Sequence, residues 1–179
     1  MSMRSVTAIV LIFVALAAST SSVAQETSNL GRPASPAEIA RWDISIPPDG
    51  LGCRPGAGTP AQGAVVDTQK CQSCHGEKGA GKPNDPMVGG QDILTSKEAV
   101  RTIGSYWPYV TTVFDYVRRA MPYTQSQSLT NEEVYAVTAY LLHLNGVIGV
   151  EDVMSVQTLP QVKMPNRDNF IAVYSTKPK

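Results

Sequence analysis

Apolar residues recur at the three- and four-residue spacing of a helix face in two stretches of the chain. Val110, Val113, Phe114 and Val117 share one face after Pro108. That run closes near Arg119, whose charge suits a helix C-terminus. Val134, Val137, Leu141 and Leu142 repeat the pattern in a helix running to Asn145, with Gly146 as its stop. Polar positions mark where helices start. Thr59 with Gln62 and Thr130 with Glu133 form capping boxes, and Pro60 takes a first helical position where its missing N–H costs nothing. Thr95 with Glu98 predicts a further short helix to about Ile103. The pattern therefore predicts an all-α domain over residues 59–146.

Outside that span the periodicity fails. Residues 25–58 carry Pro33, Pro36, Pro47, Pro48 and Pro55 and read as an extended N-terminal arm, relieved by one helical turn over 35–42 with Ser35 as its cap. Residues 147–179, with Pro160, Pro165 and Pro178, read as an extended C-terminal arm lying on the domain or on a partner. The first 24 residues read as a secretory signal peptide: Arg4, then the apolar block 6–18, then Ser22 and Ala24 at the cleavage-specificity positions. Thirteen apolar residues fall short of the ~20 that cross a bilayer. The expectation is export to the periplasm without a transmembrane segment.

Fifteen basic and fifteen acidic residues balance, and no basic cluster suggests a nucleic-acid partner. Export would place the chain where disulfides persist, yet it holds three cysteines, so one is left over.

The chemistry centres on Cys71, Cys74 and His75, spaced C-x-x-C-H in "KCQSCHGEKGAG". A structural zinc site needs four ligands, and beyond these three the chain offers only Cys53 and His143. A redox C-x-x-C wants a βαβ setting, whereas helices flank this one. Haem attachment suits every local feature: two thiols on one helical turn can add to two vinyl groups along one porphyrin edge, and the adjacent His75 then reaches the iron.

A low-spin electron carrier needs a sixth ligand. Met121, before Pro122 at the end of a helix, is the candidate, 46 residues beyond His75; Met87 is only 12 away, and Met154 and Met164 belong to the arm. His143 competes, but a satisfied helical histidine is its expected role. Tyr106, Trp107 and Tyr109 read either as core packing or, for Tyr106 and Trp107, as donors that would reach haem propionates. The segment 84–90 is expected to turn a backbone carbonyl to the His75 Nδ1–H, with Gly89 and Gly90 letting the chain pass close.

With these helices, the haem motif, the "MP" loop and a last helix bearing Tyr135 and Tyr140, residues 59–146 resemble class I cytochromes c, which show P-x-L-x-G where this chain has Asp85, Met87 and Gly89. "GRPASPAEIARWDISIPPDGLG", "GSYWPYVTTVFDYVRRAMPY", "SLTNEEVYAVTAYLLHLNG" and "LPQVKMPNRDNF" are similar to the SoxD-type cytochrome subunit of Sox sulfane dehydrogenase. The resemblance implies one covalent haem c, axial His75 and Met121, a molybdenum-containing dehydrogenase subunit as heteromeric partner in sulfur (thiosulfate) oxidation, and a small cytochrome c as electron acceptor. Some members carry a second haem domain; this chain has one C-x-x-C-H, and Cys53 stands where they show leucine. That thiol would be buried and free, in an intermolecular disulfide, or in a sulfur-handling site. No nucleophile–base pair is evident, so chemistry on the substrate is expected on another chain. Two other functions fit the residues: a free-diffusing carrier to a terminal oxidase, and a haem enzyme with a labile sixth ligand.

Overall fold

A computed structural model describes residues 31–171 and 173; the signal peptide expected over 1–24 lies outside the described residues. Two compact units divide between Asp43 and Ile44. The described part of the first unit is built around α1 (Pro36–Trp42). Its Ser35 side chain accepts from the Glu38 N–H while the Glu38 carboxylate accepts from the Ser35 N–H, with Pro36 in the first turn. None of its residues is buried.

The second unit holds α2 (Pro60–Lys70), the four-residue α3 (Gln72–His75), α4 (Val110–Ala120) and α5 (Asn131–Leu144), with two two-residue strands, β1 (Ala57–Gly58) and β2 (Met154–Ser155). Both capping boxes close: the Gln62 N–H meets Thr59 Oγ1 at 3.3 Å, and the Glu133 N–H meets Thr130 Oγ1 at 3.2 Å. α4 stops at Ala120 because Pro122 pushes the residue before it out of the helical region, and Met121 is extended at φ −117°, ψ 148°.

The central packing is α2 against α5. At Gly63 a Cβ would lie 1.9 Å from the Ala136 carbonyl oxygen, so only glycine permits this approach. Lys70 Nζ, at the end of α2, lies 2.6 Å from Glu133 Oε1. Val134, Val137, Leu141 and Leu142 point inward as the periodicity predicts, but Tyr135, Ala136, Thr138 and Ala139 are buried as well. A helix buried on nearly all sides needs cover on its outer face. Segments flanking the helical domain supply it. Tyr135 donates to the Arg54 carbonyl at 3.0 Å, Asn131 to the Pro55 carbonyl at 3.1 Å, and β1 pairs antiparallel with β2. Met154, Leu159 and Met164 are buried in the same core.

The helix expected over 95–103 is absent. Residues 91–103 form turns: the Ser96 hydroxyl, rather than Thr95, accepts from the Glu98 N–H at 3.2 Å, while the Ser96 N–H goes back to Ile93. A hydroxyl that satisfies a backbone donor two residues on stabilises a turn in competition with a helix. Buried Thr102 then anchors the segment, its hydroxyl donating to the Gly89 carbonyl at 2.6 Å.

Candidate functional site

α2 ends in the haem-type motif. Cys71 leaves the helix at φ −121°, ψ −39°, and its N–H still bonds the Asp67 carbonyl at 2.9 Å. The next turn runs Cys74 N–H and His75 N–H back to the Cys71 carbonyl at 3.1 and 3.0 Å. Residues three and four apart share a helix face, so Cys71, Cys74 and His75 all line one cavity of ≈ 620 Å³. Met87, Val117, Met121, Leu129, Val137 and Leu141 line it too. The volume lies within the ~300–1,000 Å³ usual for cofactor sites.

The residues after His75 are tied to the motif through the backbone. Gly81 N–H bonds the His75 carbonyl at 2.7 Å, Asn84 N–H the Cys74 carbonyl at 3.0 Å, and Met87 N–H the Gly79 carbonyl at 2.8 Å. This brings the Asp85 carbonyl to 3.3 Å from His75 Nδ1. A carbonyl only accepts, so Nδ1 carries the proton and Nε2 keeps its lone pair for a metal. The carbonyl thus comes from Asp85, the residue standing where class I cytochromes c show the proline of P-x-L-x-G. Gly89 and Gly90 both take positive φ, +92° and +73°.

Met121 enters from the end of α4 and is followed by an exposed stretch, Tyr123–Ser128, that ends at the half-buried Leu129. The sequence-predicted residues Cys71, Cys74, His75 and Met121 are therefore brought together. Tyr106 and Trp107 are not. Tyr106 sits under the Arg101 guanidinium and against Phe170, and Trp107 packs edge-on to Tyr116 with ring centroids 5.9 Å apart. Neither lines this cavity.

The competing chemistries fit poorly. The zinc reading would need Cys53 and His143. His143 Nδ1 lies 3.4 Å from the Ile148 carbonyl, and half-buried Cys53 packs against the core with its thiol pushed up by burial; neither reaches the cavity. A redox pair wants a thiol depressed to ~3.5–7.5. Burial, with the Asp67 charge adding to it, pushes the Cys71 thiol up to about 12. Cys71, Cys74 and Cys53 are all free. A haem fits what is present: a free thiol pair on one helical turn, an imidazole held by a carbonyl, a thioether from a separate segment and an apolar wall.

One residue of this region gave no signal in the sequence beyond ending a helix. Asn145, at the C-terminal end of α5, is buried, and its amide reaches four partners. Nδ2 donates to the Leu141 and Met87 carbonyls at 2.8 and 3.1 Å, and Oδ1 accepts from Gly89 N–H and Gln91 Nε2, both at 3.3 Å.

Helices crossing at a glycine and carrying a thiol pair with an adjacent imidazole into an apolar cavity define a class of protein, the helical c-type cytochromes. Comparison with known proteins agrees. The family model for cytochrome c matches residues 61–145. The solved structure of the sulfane dehydrogenase SoxCD from Paracoccus pantotrophus matches with a TM-score of 0.74 at 42% identity, covering 81% of this chain and 72% of that one. No curated protein matches the sequence. The chain belongs to the cytochrome c family, as a class I cytochrome of the SoxD type. Its cofactor is covalently bound haem c, and its work is electron transfer.

Proposed function

We propose that the chain is the haem subunit of a molybdenum-containing sulfane or sulfite dehydrogenase, working in the periplasm in sulfur (thiosulfate) oxidation. In this reading it takes single electrons from the molybdenum subunit and hands them to a small cytochrome c. One observation carries the proposal: the likeness to SoxCD covers 81% of the chain, far beyond the 61–145 stretch that any cytochrome c shares. What the two chains have in common therefore includes sequence outside the haem domain. Such sequence is superfluous for a diffusing carrier and useful for a held subunit. Exposed Ile39 and Trp42 on α1, a helix that buries none of its own residues, suit contact with a partner.

Within the site, Cys71 and Cys74 would hold the haem through two thioether links, and His75 Nε2 and Met121 Sδ would ligate its iron. Haem, when bound, supplies a one-electron couple whose potential a thioether ligand raises. The protein's residues do the rest. The Asp85 carbonyl fixes the tautomer and orientation of His75, and strengthens it as a donor. Val117, Leu129, Val137 and Leu141 keep water from the cavity wall. Among the described residues no helix is long and apolar enough to cross a membrane.

Affinity purification of the full chain from its native cells tests the reading. The expected result is a stoichiometric molybdenum-containing protein that stays bound through high salt and reduces the haem when given a sulfane substrate. A haem protein that elutes alone and is reduced only by diffusing donors would contradict it.

A further inference from the structure

The Asn145 side chain has two N–H donors and two acceptor sites, and all four are used inside the protein. Three of the four bonds go to one segment, Met87–Gln91. That segment is clamped from elsewhere as well: Thr102 Oγ1 holds the Gly89 carbonyl at 2.6 Å, and the Ile103 N–H bonds the Met87 carbonyl at 3.3 Å. Two residues upstream of Met87 lies Asp85, whose carbonyl faces His75 Nδ1. The knot closes against Gly104, where a Cβ would lie 2.4 Å from Asn145 Oδ1, so the chain leaves room for the amide and for nothing more.

We propose that Asn145 is a positioning residue for the haem iron: it acts through Met87 and Asp85 to hold the carbonyl that orients His75, and so sets the reduction potential from the far end of α5. This rests on the reading of His75 as an axial ligand. Releasing the segment would loosen the Nδ1–H···O=C bond. Imidazole then becomes a weaker donor, and the reduced state is favoured.

The test uses the full-length holoprotein with Asn145→Ser, and separately Gly104→Ala, which displaces the amide without touching the segment. Tyr135→Phe serves as a control, since it removes a buried hydrogen bond remote from the loop. Reduction potential, exchange of the Gly89 amide and thermal midpoint are read for each. Both test variants should speed Gly89 exchange and shift the redox equilibrium toward the reduced form by on the order of tenfold, the low end of what loss of such an outer partner costs a metal site. Tyr135→Phe should lower the midpoint and leave the potential alone. An unchanged potential in both test variants, on a wild type with a low-spin spectrum, overturns the positioning role while leaving the ligation intact. An equal potential shift in Tyr135→Phe overturns it too, by showing a general loss of stability. A high-spin wild type removes the ligation reading and the proposal with it.

Discussion

The two flanks of the cavity are built differently. On the motif side, residues 71–87 are laced by backbone hydrogen bonds, and the His75 imidazole has a fixed partner in Asp85. On the Met121 side, the chain leaves α4 and runs through six exposed residues that include one short 3-10 turn, Tyr123–Gln125, with bonds from Gln125 N–H to Pro122 and Ser128 N–H to Gln125 at 2.9 and 3.2 Å. Backbone pairing and burial set how much free energy local opening costs. His75 and Met121, the two proposed ligands, therefore differ in how firmly the backbone holds them. His75 is tied into the scaffold, whereas Met121 keeps one bond, from its N–H to the Val117 carbonyl at 3.0 Å, and leads into the less paired stretch.

The largest expected effect breaks the scaffold side. His75→Ala should abolish stable haem incorporation, seen as loss of the haem absorption in the purified protein. Met121→Ala should retain covalent haem and alter only its spin state. Equal haem loss in both would erase the distinction. Next, Gly63→Ala forces a Cβ against the Ala136 carbonyl and should destabilise the protein by ~1–3 kcal/mol in denaturant melts. The attached haem should be kept, because the cost falls on the helix crossing. Amide exchange should then sharpen the comparison, with Asn84 and Met87 exchanging roughly a hundredfold more slowly than Gln125 and Ser128.

The smallest effect concerns Asp67, a buried carboxylate one turn before Cys71 whose Oδ1 has no hydrogen-bond partner. Burial raises its pKa above the ordinary carboxylate range. Folding therefore favours the neutral form. Stability from this group is full below its unfolded pKa and lost as pH rises through the folded value. Asp67→Asn should raise the thermal midpoint at pH 7, and the gain should vanish towards pH 3. A gain that persists or grows at low pH would contradict the burial argument.

Sequence and structure part company where periodicity stops. The capping boxes at Thr59 and Thr130 were legible because each needs only residues three apart, and Ser35 was legible as a cap though not as a box. The box at Thr95 has the same letters, yet its segment is held by Thr102 and Gly89, partners no local pattern shows. Met154 sits in a two-residue strand, Leu159 in a three-residue 3-10 turn and Met164 between short turns, runs too brief for a period, so their burial could not be read from spacing. The motif named Cys71, Cys74 and His75 by spacing alone, and Met121 was reachable from its place before Pro122. Asn145 was not, because a residue that ends a helix looks the same whether its amide meets water or four buried partners. Tyr106 and Trp107 were singled out by their donors, and their packing on Arg101, Phe170 and Tyr116 is contact that no local pattern shows.

The most direct test of an electron-relaying haem held by His75 and Met121 is the absorption spectrum of the holoprotein, oxidised and reduced, extended into the near infrared. The expected result is a low-spin haem with a weak thioether-to-iron band that disappears in Met121→Leu, together with a lower reduction potential in that variant. A high-spin or bis-histidine wild-type spectrum would contradict it.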